Sequence, residues 1–244
     1  NKLVIKDYDH ISMIKVDPAD NVTYLGDKED TFEICINDNI LMTGKGRIGN
    51  KQELENGSVY YSIISSPNSY IFKNNGDIVL EVPFNGNFLV NKDESQIAYL
   101  SSEWRNNKIV HALYINKNLV YKANGFLTKL KFTPDGKRLY YCELRQSNQF
   151  SPVVSYIMGP NVFSVYSGPH NRIHEIVFSN NSNSFACALE TTVLGRSGVY
   201  ILVNNQILGP YLSIKNDYSF TDDSLYFIFH RYSNDRWIEE KIKL

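Results

Sequence analysis

The sequence lacks the features that would define several common classes of protein. Its cysteines, Cys35, Cys142 and Cys187, are odd in number and form no C-x-x-C pair, so neither a disulfide framework nor a zinc motif is indicated. With 25 Lys and Arg against 26 Asp and Glu, the net charge is -1, without the basic excess typical of nucleic-acid binders. No apolar run approaches the roughly 18 residues needed to span a bilayer. We therefore expect buried cysteines, no nucleic-acid partner and no membrane insertion.

Signatures of catalysis and of metal binding are also missing. No G-x-S-x-G elbow is present, and the glycine-rich stretch 44–49 is not followed by a helical pattern, so it does not predict a phosphate-binding loop. His170 and His174 have a spacing that places both on one face of a strand, but no third ligand is nearby. Glu239 and Glu240 point to opposite faces of a strand and cannot serve one substrate. We predict no catalytic residue, no metal and no cofactor.

What the sequence does contain is a repeated β pattern. Short runs rich in Val, Ile, Tyr and Phe recur between clusters of Asn, Asp, Gly and Ser, and helical periodicity is hard to find, so the chain is predicted to be all-β. Six turn-then-strand units share a core position, which lies at Tyr24, Tyr61, Tyr99, Tyr141, Cys187 and Phe227. These positions are 37, 38, 42, 46 and 40 residues apart, which matches the roughly 40 to 45 residues of a four-stranded propeller blade.

A second pair of β-rich runs follows each of the first five units. The polar turn between the two runs lies at Asn37, Asn74, Asn116, Gly159 or Asn204. Asn and Gly tolerate positive φ and therefore suit short hairpins. Each unit thus supplies four strands, which we name a to d. The sixth unit ends after its third strand, so we predict that residues 2–7 pair with residues 237–244, which would close the ring and remove exposed edge strands.

The predicted fold is a six-bladed β-propeller with four-stranded antiparallel blades, closed by the N-terminal strand. It is expected to form a single domain over residues 1–244, with blades at approximately 11–46, 47–84, 85–124, 125–168, 169–213, and 214–244 with 1–8. Strands such as Y-Y-S-I-I and L-Y-F-I-F are apolar on both faces, as expected of a sheet that lies between two others. A two-layer β-sandwich is the alternative fold.

Two stretches carry a family resemblance. The segment F-T-P-D-G-K-R-L-Y-Y, which begins at Phe132, resembles the F-S-P-D-G-x-x-L-A-Y blade signature of the WD40-like, TolB-type propeller repeats. The segment V-Y-I-L-V-N-N-Q-I-L-G-P-Y, which begins at Val199, is similar to the strand, Asn turn and strand that often follow it. In other units Asn-Asn, Asp-Asp or Asp-Glu replaces Pro-Asp-Gly. The resemblance implies a six-bladed scaffold that mainly binds proteins or peptides, sometimes beside an enzyme domain.

The arginines are distributed unevenly over this predicted scaffold. In a propeller the b-to-c and d-to-a connections share one rim, and seven of the eight arginines fall in such connections, with Arg138 as the exception. Arginine suits the recognition of carboxylates and phosphates, and together with Trp and Tyr it is typical of binding hot spots. The predicted ligand-binding residues of this rim are Trp104, Arg105, Arg145, Gln146, His170, Arg172, Arg196, Arg231 and Tyr232.

Two interpretations of these arginines remain open. Glu103, Glu143 and Glu190 lie in the same connections as three of the arginines, so Glu–Arg pairs between neighbouring blades could tie their loops together and leave no net positive surface. In the functional interpretation, the chain is a monomeric, non-enzymatic module that binds a protein or peptide, including acidic ones. The alternatives are a carbohydrate-binding or carbohydrate-active propeller, with Trp104 and Tyr232 as sugar platforms, and a structural or gating module of a larger protein.

Overall fold

The structure of the protein, a computed structural model, consists of strands, turns and loops in the part of the chain that it describes. The described residues are 8–16, 19–65, 68–74, 77–82, 87–105, 108–145, 154–159, 164–168, 172–193, 196–204 and 206–244. These ranges form 24 β-strands and no helix. A helix long and apolar enough to cross a membrane is accordingly not found among the described residues.

The first three sheets are four-stranded meanders, in which strands that follow one another in the chain are also neighbours in the sheet. The first sheet contains β1 (His10–Val16), β2 (Val22–Lys28), β3 (Thr31–Ile36) and β4 (Asn39–Lys45). The second sheet contains β5 (Arg47–Glu53), β6 (Val59–Ile64), β7 (Ser69–Lys73) and β8 (Ile78–Val82). The third sheet contains β9 (Phe88–Val90), β10 (Ile97–Arg105), β11 (Lys108–Ile115) and β12 (Asn118–Lys122).

The last three sheets repeat this plan with two variations. The fourth sheet contains β13 (Phe126–Phe132), β14 (Leu139–Arg145), β15 (Val154–Met158) and β16 (Ser164–Gly168). The fifth sheet contains β17 (Arg172–Ile173), β18 (Val177–Phe178), β19 (Phe185–Val193), β20 (Arg196–Val203) and β21 (Gln206–Tyr211). Its strand a is interrupted, because β17 and β18 both pair with β19. The sixth sheet contains β22 (Ser219–Phe220), β23 (Tyr226–Ser233) and β24 (Arg236–Lys243).

The predicted blade architecture is confirmed. The fold is all-β and of the β-propeller class, with six sheets whose strands run in the order a, b, c, d. Each of the six core positions found by the repeat lies in strand b of its sheet and is buried. In the sixth sheet the described residues supply strands a to c only. The predicted closing strand, residues 2–7, lies outside the described residues.

The chain divides into two compact units. The first comprises the described residues within Asn1–Val90, Glu94–Glu103 and Leu113–Leu119, and it contains the first and second sheets. The second comprises those within Asn91–Asp93, Trp104–Ala112 and Val120–Leu244, and it contains the fourth, fifth and sixth sheets. The single domain expected from the sequence stays a prediction.

Each unit has apolar cores between consecutive sheets. In the first unit, Leu25 of the first sheet belongs to the same buried cluster as Phe72 of the second. In the second unit, one cluster joins the fourth and fifth sheets and includes Cys142 and Cys187, and another joins the fifth and sixth sheets around Phe227. All three cysteines are free and buried, as predicted. Burial of this kind between sheets is the main stabilising contribution in such a fold.

Strand b is buried on both faces in some sheets and on only one face in others. In β6, which contains the predicted Y-Y-S-I-I run, every residue except the last is buried. In β23, which contains Y-F-I-F, Phe227 and Phe229 are buried, but Tyr226 and Ile228 on the opposite face are only half-buried. The difference arises because, within the second unit, the fifth sheet covers one face of the sixth sheet.

The turns between strands a and b have one feature in common despite their different sequences. Each has a residue with positive φ among its described residues, and these residues are Asp20, Gly57, Glu94, Gly136, Ser182 and Ser224. In the fourth, fifth and sixth sheets an Asp or Asn two residues after a Thr or Ser accepts hydrogen bonds from that hydroxyl and from a later backbone N–H. The sequences T-P-D-G, S-N-N-S and T-D-D-S therefore build the same Asx turn.

In several sheets the left-handed residue also links its turn to that of the preceding sheet. Ser182 Oγ accepts a hydrogen bond from the backbone N of Asp135 at 3.0 Å. In the first unit Glu94 holds the corresponding position, and its carboxylate accepts hydrogen bonds from four side chains of the second sheet and its turn. The donors are Asn56, Ser58, Tyr60 and Lys73. We call this end of the sheets the turn end and the opposite end, where strand b passes to strand c, the hairpin end.

Candidate functional site

Seven of the nine predicted site residues lie at the hairpin end of their sheets in the structure. Trp104 and Arg105 end β10, Arg145 ends β14, and Arg231 and Tyr232 lie near the end of β23. Arg172 begins β17 and Arg196 begins β20. Gln146 and His170 lie outside the described residues, as do the side chains of Trp104, Arg105 and Arg196. Described side chains are therefore available for Arg145, Arg172, Arg231 and Tyr232.

Three hairpins at this end share a further feature. In the third, fifth and sixth sheets only two residues separate strand b from strand c, and an arginine flanks that connection at Arg105, Arg196 or Arg236. In the sixth sheet the two connecting residues, Asn234 and Asp235, have φ values of 49° and 59°, as in a type I′ turn. The strands pair up to the turn, since Ser233 lies opposite Arg236.

Arg145 belongs to a buried polar cluster in the second unit. Its Nη2 donates to Glu143 Oε2 at 2.6 Å and to the Tyr121 hydroxyl at 2.8 Å. The Tyr121 hydroxyl also donates to Glu143 Oε2, and the backbone N of Asn124 donates to Glu143 Oε1, both at 2.7 Å. The guanidinium carbon lies 4.1 Å from the ring centre of Tyr156. Arg145 is thus held by hydrogen bonds on one side and by an aromatic face on another.

The electrostatics of this cluster favour an ionised pair. Burial of Glu143 on its own would raise the pKa of the carboxyl group, but hydrogen bonds from Arg145 and Tyr121 outweigh it and hold the pKa below the usual value. The hydrogen bond to Glu143 in turn raises the pKa of Arg145. Glu143 has no exposed surface, whereas the Arg145 side chain is 30% exposed. The cluster is therefore a buried ion pair whose cation reaches the surface.

Arg172 has a looser partner in the fifth sheet. It lies opposite Glu190 across β17 and β19, and Arg172 Nη1 is 3.8 Å from Glu190 Oε2. The two side chains are 70% and 40% exposed. His174 Nε2 lies 3.1 Å from the other carboxylate oxygen of Glu190. An exposed pair at such a distance contributes about 0 to 1 kcal/mol, so Arg172 is weakly held.

Arg231 has a close partner in the sixth sheet. Its Nε donates to Glu240 Oε1 at 2.6 Å, and its guanidinium carbon lies 6.0 Å from the ring centre of Tyr211. Every predicted arginine with a described side chain therefore has a carboxylate neighbour, but none of these three pairs joins two sheets, as the staple interpretation would require. The three arginines lie on three different sheets, and each pairs with a carboxylate of its own sheet.

The surface around Tyr232 has a different character. Tyr232 lies directly opposite Trp237 across β23 and β24, and the ring centres are 5.3 Å apart in an edge-to-face arrangement. Lys215 Nζ lies 5.3 Å from the Trp237 ring centre. Ser213 O accepts a hydrogen bond from Tyr232 N, which places the neighbouring Leu212 beside this hairpin. We call Leu212, Lys215, Tyr232 and Trp237 the aromatic patch.

The aromatic patch is exposed to solvent. Leu212 is 80% exposed, Trp237 43% and Tyr232 36%. Among the described residues, Lys215 has no carboxylate within ion-pairing distance. Aromatic side chains beside unpaired cations are typical of binding surfaces. Of the predicted residues only Tyr232 belongs to the patch.

Sequence reasoning missed most of this surface. Trp237 was assigned to the third strand of the last unit, but its position opposite Tyr232 follows only from the register of β23 and β24. A two-residue turn at Asn234 and Asp235 was the signal that could have fixed this register. No group of three or more His, Cys, Asp or Glu side chains in the described ranges is arranged to hold a metal ion.

Comparison with known proteins gives a likeness of fold only. No protein-family model matches the chain, and no curated protein matches its sequence. A crystal structure of a eukaryotic initiation factor superposes with a TM-score of 0.52 at 12% identity, over 91% of this chain and 63% of that one. This chain therefore spans less than two thirds of the initiation-factor chain.

Two further structures are similar at lower scores. A putative TolB from Agrobacterium tumefaciens has a TM-score of 0.46 at 13% identity, over 84% of this chain and 80% of that one. The β-propeller domain of the Trilobed protease from Pyrococcus furiosus has a TM-score of 0.48 at 10% identity, over 91% of this chain and 81% of that one.

Proposed function

We propose that this chain is a non-enzymatic binding module that recognises a protein or peptide at the hairpin end of the fourth to sixth sheets. The observation that carries the proposal is the aromatic patch. Trp237 and Tyr232 supply rigid apolar area, and Lys215 supplies a positive charge without an ion-pair partner among the described residues. This is the composition of an interface hot spot, and the cation favours a partner segment with carboxylates beside apolar side chains.

The arginines predicted from the sequence take a supporting part in this proposal. Glu143 and Glu240 hold Arg145 and Arg231 in fixed positions, which reduces the conformational entropy that either side chain would lose when a partner binds. Arg172, which is weakly held, is more available for new contacts. The other predicted residues remain candidate contacts because of their positions in the sequence, and they are Trp104, Arg105, Gln146, His170 and Arg196.

We also propose that the chain belongs with the WD40-like, TolB-type propeller repeats. The support is the recurrence of one turn conformation in three sheets, of which only the fourth keeps Pro-Asp-Gly. A turn that survives replacement of its signature residues is what a diverged repeat of this kind would show. The motif is structural, so membership by itself assigns no chemistry.

Selection of peptides tests the binding proposal. A phage-displayed peptide library is selected on the immobilised protein, and enriched peptides are measured by fluorescence anisotropy. We expect enriched sequences to combine Asp or Glu with apolar residues. Trp237→Ala is expected to weaken them at least about tenfold, the loss typical of a hot-spot side chain. Tyr232→Ala and Lys215→Ala are expected to have smaller effects in the same direction.

A matched control uses the opposite end of the sheets. Leu225 is 53% exposed in the turn of the sixth sheet, so Leu225→Ala removes a similar exposed apolar side chain without touching the patch. It should leave affinity unchanged. A library that yields no enriched peptide, or affinities that ignore Trp237→Ala, would contradict the proposal. Because exposed aromatic rings also serve as sugar platforms, a glycan array with the same variants tests the carbohydrate alternative.

A further inference from the structure

The polar cluster of Tyr121, Tyr141, Glu143, Arg145 and Tyr156 contains two groups that its internal hydrogen bonds leave unused. Arg145 Nε and the Tyr141 hydroxyl are buried and have no hydrogen-bond partner among the described residues. Native proteins satisfy the large majority of buried polar atoms, so two orphans in one cluster indicate a missing partner. A buried polar group that is left unpaired destabilises the folded state.

Both orphans face the same cluster. Tyr141, Glu143 and Arg145 alternate along β14 and therefore point to one face of the fourth sheet. The Tyr141 ring centre is 5.7 Å from that of Tyr121, whose hydroxyl bonds Glu143 and Arg145. Tyr141 is only 2% exposed. The unpartnered hydroxyl is thus a deeply buried group directed at a built polar site.

One member of the cluster reaches the surface. Glu143 and Tyr141 have almost no exposed surface, whereas 30% of the Arg145 side chain is exposed. The stacking of Arg145 on Tyr156 and its bonds to Glu143 fix the plane of the guanidinium group. A ligand group would therefore approach along Arg145, at the hairpin end of the fourth sheet, and would find the Nε–H already oriented.

The charges of Arg145 and Glu143 determine which class of ligand group fits the cluster. The positive charge of Arg145 is already neutralised by the ionised Glu143 at 2.6 Å. A second carboxylate would lie near Glu143 and be repelled by it, so an anionic group is disfavoured. An amide is uncharged and carries an acceptor oxygen and a donor nitrogen in one plane. These atoms can accept from Arg145 Nε and donate to the Tyr141 hydroxyl at once.

We propose that this cluster is a binding site for one uncharged amide group of a partner polypeptide, either an Asn or Gln side chain or a backbone amide. The inference rests on the proposed function only in taking the source of the amide to be a protein. Arg145 then acts as an oriented hydrogen-bond donor and not as an anion receptor. This assignment differs from the acidic ligand that the sequence suggested for the same residue.

Acetamide and acetate, which have the same shape and differ in charge, test the site directly. The full chain is labelled with ¹⁵N-arginine, and the Arg145 Nε–Hε cross-peak is assigned by its loss in Arg145→Lys. We expect acetamide to shift this cross-peak saturably, while sodium acetate at the same concentration, matched with sodium chloride, leaves it in place. Tyr141→Phe removes one hydrogen bond and should weaken acetamide binding about threefold to tenfold.

The protein contains its own control, because Arg172 is exposed and lies outside the cluster. Its cross-peak should not respond to either probe. The proposal is overturned if acetamide leaves Arg145 unmoved, if acetate shifts it equally, or if Arg172 moves in parallel. Ethanol serves as a hydroxyl probe, and a shift as large as that of acetamide would overturn the amide assignment. None of these outcomes depends on the aromatic patch, so they are separable from failure of the peptide selection.

Discussion

Arg145 in the fourth sheet and Arg172 in the fifth lie at the same end of their sheets and have opposite surroundings. Arg145 bonds a carboxylate with no exposed surface at 2.6 Å, and Arg172 lies 3.8 Å from a carboxylate that is 40% exposed. Glu143 was expected near Arg145, which lies in the same connection of the sequence, whereas the pairing of Arg172 with Glu190 follows only from the register of β17 and β19. The comparison shows that burial of the acidic partner, and not its presence, separates a structural anchor from a weakly held surface arginine.

The largest expected effect comes from removing the buried acid. Glu143→Ala leaves Arg145 partly buried without its counter-charge, and we expect the free energy of unfolding to fall by about 3–5 kcal/mol. Glu190→Ala removes the exposed acid beside Arg172 and should cost about 0–1 kcal/mol. Urea unfolding followed by tryptophan fluorescence measures both. Equal losses for the two variants would show that burial does not distinguish these pairs.

Glu94 extends the comparison to the turn end. Four side-chain donors, led by Lys73, lower the pKa of Glu94 to about 2 from its usual 4.5. The pKa of Glu94 is lower in the folded state than in the unfolded state, so its ionised carboxylate stabilises the fold. This stabilisation is present above about pH 4.5 and is lost as the pH falls towards 2. We expect Glu94→Gln to cost about 2–3 kcal/mol at pH 7, a range typical of charged hydrogen bonds.

The ionisation of Glu94 can be followed through the difference in stability between wild type and Glu94→Gln as the pH changes. Wild type should lose stability relative to Glu94→Gln as the pH is lowered from 5 to 3, so the gap between them narrows. Thermal unfolding at a series of pH values, at constant ionic strength, gives this gap. If the difference in stability stays constant over that range, the contacts with Lys73 and its neighbours do not lower the pKa of Glu94 in the folded state.

A smaller effect than that of Glu94→Gln is expected for an uncharged link at the turn end. Ser182 is 3% exposed, has a φ of 63°, and accepts a hydrogen bond from Asp135 N. Ser182→Ala removes the acceptor and keeps a Cβ in the left-handed region, so it should cost about 1–2 kcal/mol. Ser182→Gly loses the same bond but relieves the backbone, and should cost less. If Ser182→Gly lowered the stability more than Ser182→Ala, the left-handed backbone conformation of residue 182 would not explain the cost of replacing this serine.

Much of the fold could be predicted because it depends on local periodicity. The alternation of apolar residues and the spacing of about 41 residues placed all six core positions in strand b. Asn37, Asn116 and Asn204 were assigned to turns between strands c and d, and all three have positive φ. The side-chain oxygen of each also accepts a hydrogen bond from the backbone N–H of the first residue of strand b in the same sheet.

The candidate site was less predictable because its contacts join distant parts of the chain. Glu143 was correctly noted beside Arg145, yet Tyr121, which bonds both, is 22 residues before Glu143 and belongs to another strand. Trp237 was counted as a strand residue, and its exposure beside Lys215 depends on how the last two strands pair. Side-chain partners of this kind are set by register and by the neighbouring sheet.

The sequence by itself determined the repeat, the strand order within each sheet and the type of residue at each turn, because these depend on side-chain alternation and on local backbone preference. The tertiary structure alone decided which charges are buried and which remain exposed. Burial depends on what the next sheet places against a side chain, and so Arg145 is anchored while Arg172 and the residues around Trp237 remain exposed to solvent.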